Sequence, residues 1–172
     1  MASAATVEPT RRDFLYIATG AAAAVAVGAV AWPLIAQMNP DASTLAMAST
    51  EIDIAAIPEG QSVTVKWRGK PVFVRHRTKK EIEEAAAAKL TDLPDPQADS
   101  ARVQKPEWLI VIGICTHLGC VPLAHQGAYE GFFCPCHGSV YDTSGRIRQG
   151  PAPANLPLPP YQFVSDTQIK IG

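Results

Sequence analysis

Cysteine is scarce in this chain, with four among 172 residues, and neither sign of charge prevails: 15 Lys and Arg stand against 16 Asp and Glu, for a formal net charge of −1. The basic residues are scattered, so the cationic stripe that nucleic acid requires is missing and no nucleic-acid partner is expected. The length leaves room for one domain with a modest core, and a second full-sized domain would be hard to fit beside it. The hydrophobic residues, 47% of the chain, are unevenly spread and concentrate near the N-terminus.

There, FLYIATGAAAAVAVGAVAWPLI (Phe14 to Ile35) holds no charged residue. As a helix it would reach roughly 33 Å, enough to cross a bilayer core. A buried core helix is the alternative, but uncharged runs this long seldom belong to small soluble domains. Just before it, TRRDFLY (Thr10 to Tyr16) is similar to a twin-arginine export signal, a route that carries proteins already folded around cofactors. With no clear A-x-A cleavage site, the signal is expected to stay as the anchor. Arg11 and Arg12 precede the span and no Lys or Arg follows it until Lys66, which puts the N-terminus in the cytoplasm and the head outside. Glu8 and Asp13 argue against a mitochondrial presequence. A single-pass protein of the bacterial inner membrane with a periplasmic head is expected: leader 1–13, transmembrane helix 14–36, flexible hinge 37–50 and head 51–172. The hinge assignment rests on NPDASTLAMAST (Asn39 to Thr50), small and polar with no hydrophobic periodicity.

The head reads as mainly β. VTVKW (Val63 to Trp67) and VFVRH (Val72 to His76) alternate around RGKP as a hairpin would. TKKEIEEAAAAKL opens with Thr78 and Glu81 at capping-box spacing and sets Lys80 four residues before Glu84, giving one short helix. WLIVIGI (Trp108 to Ile114) is a continuous apolar strand suited to burial on both faces, and AYEGFF (Ala128 to Phe133) is a second strand. PAPANLPLPP (Pro151 to Pro160) lacks too many amide donors to join a sheet interior. YQFV and TQIKI close the chain as a hairpin around Ser165 and Asp166.

Each of the two long strands feeds a short loop, CTHLGC (115–120) and CPCHGS (134–139), and these loops hold all four cysteines and two of the four histidines. Three metal centres compete for them: zinc, a cluster held by four cysteines, and a [2Fe-2S] cluster held by two cysteines and two histidines. Zinc loops favour CxxC pairs, which neither loop supplies. Four-cysteine ligation leaves His117 and His137 idle.

The pair CTHLGC and CPCHGS resembles the cluster boxes of the Rieske iron-sulfur proteins, whose mixed ligation is a known type. With the leader, the membrane helix and the GPAP turn at Gly150 to Pro153, the whole chain looks like the Rieske subunits of ubiquinol:cytochrome c oxidoreductase, the cytochrome bc complex. That resemblance implies an antiparallel β-sandwich head carrying one [2Fe-2S] cluster. Cys115 and Cys134 would hold the inner iron, and His117 and His137 the outer one. Cys120 and Cys136 would form a disulfide, which agrees with an oxidising periplasm and would stabilise the fold by about 3 kcal/mol. Ser139 and Tyr141 would donate hydrogen bonds to a bridging sulfide and to a ligand-cysteine sulfur, raising the potential. Val140 departs from the polar or aromatic residue of many relatives, with a mild effect expected.

By the same resemblance, His137 or His117 would be the catalytic contact for ubiquinol, coupling electron to proton transfer. Leu118 would belong to an apolar tip that docks on cytochrome b, and the head would swing on its neck to the c-type cytochrome within a dimeric complex. A Rieske electron carrier of another quinol-oxidising or oxygenase system is the rival, although such relatives generally lack the second cysteine pair and the anchor. His76, between two arginines, is expected to be solvated, and neither it nor His125 receives a role.

Overall fold

The computed structural model describes residues 10–46 and 48–172; Glu8, with the rest of the leader before Thr10, and Met47 of the neck lie outside them. Two units divide between Leu45 and Ala46. The first is essentially helix α1, Arg11–Ala36, which is long and apolar enough to cross a membrane. Thr10 caps it: its hydroxyl accepts from the Asp13 N–H, and Asp13 returns a bond to the Thr10 N–H. Pro33 sits in the last turn. The neck was expected to lack regular structure, yet Ala42–Ala46 forms a short helix, α2, with Asp41 Oδ1 accepting from the Ser43 N–H at 2.8 Å.

The second unit is a mainly antiparallel β head. Strands β1 (Thr50–Asp53), β10 (Gln168–Ile171) and β9 (Tyr161–Phe163) form sheet A. Strands β2 (Ser62–Trp67), β3 (Lys70–His76) and β4 (Trp108–Ile112) form sheet B. Strands β5 (Leu123–Ala124), β6 (Phe132–Cys134), β7 (Ser139–Tyr141) and β8 (Ile147–Gln149) form sheet C. The β2–β3 hairpin turns at Arg68 and Gly69, both with positive φ, as a two-residue type I′ turn requires. The second expected strand is shorter than AYEGFF: Gly127 and Glu130 both take positive φ, so the chain turns there and pairs only from Phe132.

Sheet B is the middle layer, which is why its strands are apolar on both faces. Val72, Val74 and Ile110 pack with Ile52, Ile169 and Ile171 of sheet A. Phe73, Leu109 and Val111 point the other way, onto Phe132, Tyr141 and Ile147 of sheet C. Helix α3, Lys79–Ala87, carries the expected capping box, and no strand runs through 151–160. His76 is not solvated as expected: its ring stacks on Trp108 at 4.2 Å and its Nδ1 lies 2.8 Å from the Ile57 carbonyl, because the strand pairing puts His76 opposite Trp108.

Where sheets B and C meet, the contacts change character. Arg75 pairs with Glu81 of α3. Arg77 Nη1 donates to Asp99 at 2.7 Å, and Asp99 also accepts from the Ser144 hydroxyl. Arg146 Nε donates to Asp142 at 2.9 Å. Arg102 donates to the carbonyls of Ser144 and Leu156 and to Gln97 Oε1, and burial pushes its guanidinium down to about 10. All four arginines are buried. Losing one partner of such a pair leaves an uncompensated charge, so this seam fixes sheet C against the base at specific points rather than by shape alone.

Candidate metal centre

The two cysteine loops project from the ends of β4 and β6 and repeat one construction. In the first, the Gly119 N–H bonds the Cys115 carbonyl at 3.0 Å; in the second, the Gly138 N–H bonds the Cys134 carbonyl at 3.0 Å. Both glycines have φ near +80°, with open space where a Cβ would stand, so backbone conformation rather than room selects glycine. Cys115 and Cys134 are free and buried. Cys120 and Cys136 are joined in a disulfide that ties the loops together. Cys134 Sγ lies within 4.8 Å of both disulfide sulfurs, but those two are already committed to each other.

His117 and His137 come from different loops, and their rings meet edge to face with centroids 4.7 Å apart. His117 is half-buried and His137 exposed, so thiols lie inside and imidazoles at the surface. Leu118 is 71% exposed, with Val121 and Leu123 also in solvent.

Hydrogen-bond donors converge on the sulfurs. Tyr141 donates to Cys115 Sγ at 3.3 Å. Burial alone would push the Cys115 thiol up, but bonds from Tyr141, the His117 N–H and Ser139 bring it below its ordinary value. Cys134 is held above the usual range by burial and by its neighbour Cys115, although the N–H groups of Cys136 and His137 point to it. The Tyr141 phenol itself is pushed up to about 12 by burial and by Cys115, and so stays a donor.

Three orienting contacts were missed in the sequence. Thr116 donates its hydroxyl to the Ala154 carbonyl at 2.6 Å and its N–H to Tyr141 Oη at 3.3 Å. The Ala152 N–H donates to Ser139 Oγ at 3.2 Å. Only Thr116's position inside the first box and the GPAP turn hinted at them. Val140 is buried against Gly127, with no polar contact at that position. His125 takes φ +58° and bonds the Gly131 carbonyl through its N–H.

Residues 50–162 match the family model described as Rieske [2Fe-2S] domain, and residues 1–41 match that described as Ubiquitinol-cytochrome C reductase Fe-S subunit TAT signal. The Ubiquinol-cytochrome c reductase iron-sulfur subunit of Bradyrhizobium diazoefficiens is 68% identical over 167 residues, 95% of each chain. The chain belongs to the Rieske iron-sulfur subunits of ubiquinol–cytochrome c reductase. The subunit of the same name from Blastochloris viridis is 63% identical over all of this chain and 98% of its own. Among solved structures, a chain of a hyperthermophilic respiratory Complex III matches with a TM-score of 0.56 and 28% identity, over 90% of this chain and 98% of that one. The function of this Rieske subunit is electron transfer through one Rieske [2Fe-2S] cluster within an oxidoreductase complex. The residues present suit that group. The donors around Cys115 favour anionic, metal-binding sulfur there, Cys134 is the second free thiol, two imidazoles come from the same two loops, and the disulfide removes the cysteines a four-thiolate cluster would need.

Proposed function

We propose that Cys115 and Cys134 hold one iron of the cluster and His117 and His137 the other, and that the imidazole face is where this subunit meets ubiquinol. One arrangement supports this most: two buried free thiols and two surface imidazoles, drawn from two loops that a disulfide joins. When bound, the cluster supplies one-electron redox chemistry at a potential raised by imidazole ligation. Tyr141 and Ser139, by donating toward Cys115 sulfur, stabilise extra negative charge there and favour the reduced state. His137, the more exposed imidazole, presents a ring nitrogen that accepts the hydrogen bond and then the proton of the quinol. Leu118, Val121 and Leu123 form an apolar rim that keeps water from that contact and docks on cytochrome b.

In this reading the chain is a catalytic subunit of the reductase. Helix α1 anchors it in the bacterial inner membrane with residues 1–13 cytoplasmic and the head, 51–172, periplasmic. Segment 37–50 is the hinge on which the head moves between cytochrome b and the c-type cytochrome, in a dimeric complex. Iron and acid-labile sulfide assays on the purified full chain, with electron paramagnetic resonance after ascorbate reduction, test the site. Equal iron and sulfide in wild type, lost in His137→Gln, are expected; zinc without sulfide would contradict it.

A further inference from the structure

Three cations fall within five residues around one turn of the head, Lys66 and Lys70 on opposite faces of the hairpin and Arg68 at its tip. Lys66, Arg68 and Lys70 are exposed on the β2–β3 hairpin, and none pairs with a carboxylate among the described residues. The tip is also held in place. Arg68, at φ +47°, lays its guanidinium over the Trp67 ring at 4.9 Å. The Trp67 indole N–H donates to the Ala48 carbonyl at 2.8 Å. Ala48 is where the chain coming from α1 enters the head, so the cationic turn is fastened to the root of its own tether. By contrast, no Lys or Arg occurs from Trp108 through Gly145, the stretch carrying both metal-binding loops.

We infer that the Lys66–Arg68–Lys70 turn is a docking surface for the phosphate headgroups of anionic phospholipid in the bilayer that holds the anchor. This rests on the membrane-anchored reading above. The dozen residues from Ala36 to Ala48 reach at most about 40 Å when extended, so the turn stays within reach of the membrane surface. Three cations near an anionic surface raise partitioning by about a hundredfold. That is weak for a free protein. On a short tether, where effective concentrations reach the millimolar range, it gives a contact that forms and breaks readily. Such a contact gives the head a resting place without trapping it there.

The test uses the full chain in lipid nanodiscs of phosphatidylcholine alone or with about 30% phosphatidylglycerol, reading the rate of lysine acetylation by mass spectrometry. Lys66 and Lys70 should label at least about threefold more slowly in the anionic discs at about 50 mM salt, with the difference lost near about 0.5 M. Exposed Lys89 should label equally in both. Arg68→Glu should abolish most of the protection while leaving Lys89 unchanged. Equal labelling of Lys66 and Lys70 in both kinds of disc would overturn the inference and leave the anchor standing. Protection that appears only when the other subunits are assembled in phosphatidylcholine would overturn it too, in favour of a protein contact. A chain that fails to enter the discs would overturn the anchored reading and the inference together.

Discussion

Sheets A and B are built from strands of up to seven residues whose alternate side chains fill a shared apolar core, whereas the strands of sheet C run two to three residues. Sheet C takes its order instead from a disulfide, from hydrogen bonds closing each loop, and from buried arginines along its seam with sheet B. Apolar burial is additive and non-directional, and tolerates adjustment. Hydrogen bonds and charges fix angles and positions. A base held by the first kind of force can carry a site held by the second, and damage to the two should be separable.

The largest stability loss belongs to the base. Ile110→Ala opens a cavity between sheets A and B and should cost about 3 to 4 kcal/mol in thermal or denaturant unfolding, while the midpoint potential of folded protein stays put. A shifted potential there would break the distinction. Next comes the disulfide: the double variant Cys120→Ser, Cys136→Ser should lose about 3 kcal/mol, but as loss of iron and sulfide at temperatures where far-ultraviolet circular dichroism still shows a folded base. Simultaneous loss of both signals would mean that sheet C and the base unfold as one.

Tyr141→Phe removes one hydroxyl donor to Cys115 with little change of volume. About 1 kcal/mol of preference for the reduced state should go with it, lowering the midpoint by about 40 mV for a one-electron couple, with the unfolding temperature nearly unchanged.

At the seam the distinguishing effect is a dependence on pH. Burial alone would raise the Asp99 carboxyl, but bonds from Arg77 and Ser144 hold it below its ordinary value. A carboxylate whose folded pKa is depressed contributes stability above its unfolded value, near pH 4, and loses it as pH falls through the lower folded value. The stability difference between wild type and Asp99→Asn should therefore be full at pH 6 to 7 and shrink below about pH 4. A difference independent of pH would mean that Asp99 acts by packing alone.

The same division decides what the sequence reveals. The hairpin of β2 and β3, the capped helix at Thr78 and the doubly buried β4 are legible because local spacing carries them. The two loops are legible because their ligand-type residues are rare elsewhere in the chain. The seam is not: Arg75, Arg77, Arg102 and Arg146 look like ordinary surface cations until the fold turns Glu81 and Asp142 to them from six and four residues away and brings Asp99 and bare carbonyls from 22 to 61 positions away. His76 misled for the same reason, since flanking arginines suggested solvent while its register partner is Trp108. The neck helix escaped because five residues carry no readable period. Thr116 and the Ala152 N–H act through contacts between 13 and 38 positions apart, which spacing within a box cannot show.

The proposed site requires that His117 and His137 both bind the cluster. Pulsed electron paramagnetic resonance of the ascorbate-reduced full chain, prepared with natural-abundance and with nitrogen-15-labelled histidine, addresses it directly. Two strongly coupled histidine nitrogens that change with the isotope are predicted, falling to one or to none, with loss of the cluster, in His137→Gln. A spectrum without histidine nitrogen coupling, or one that His137→Gln leaves intact, would contradict the account.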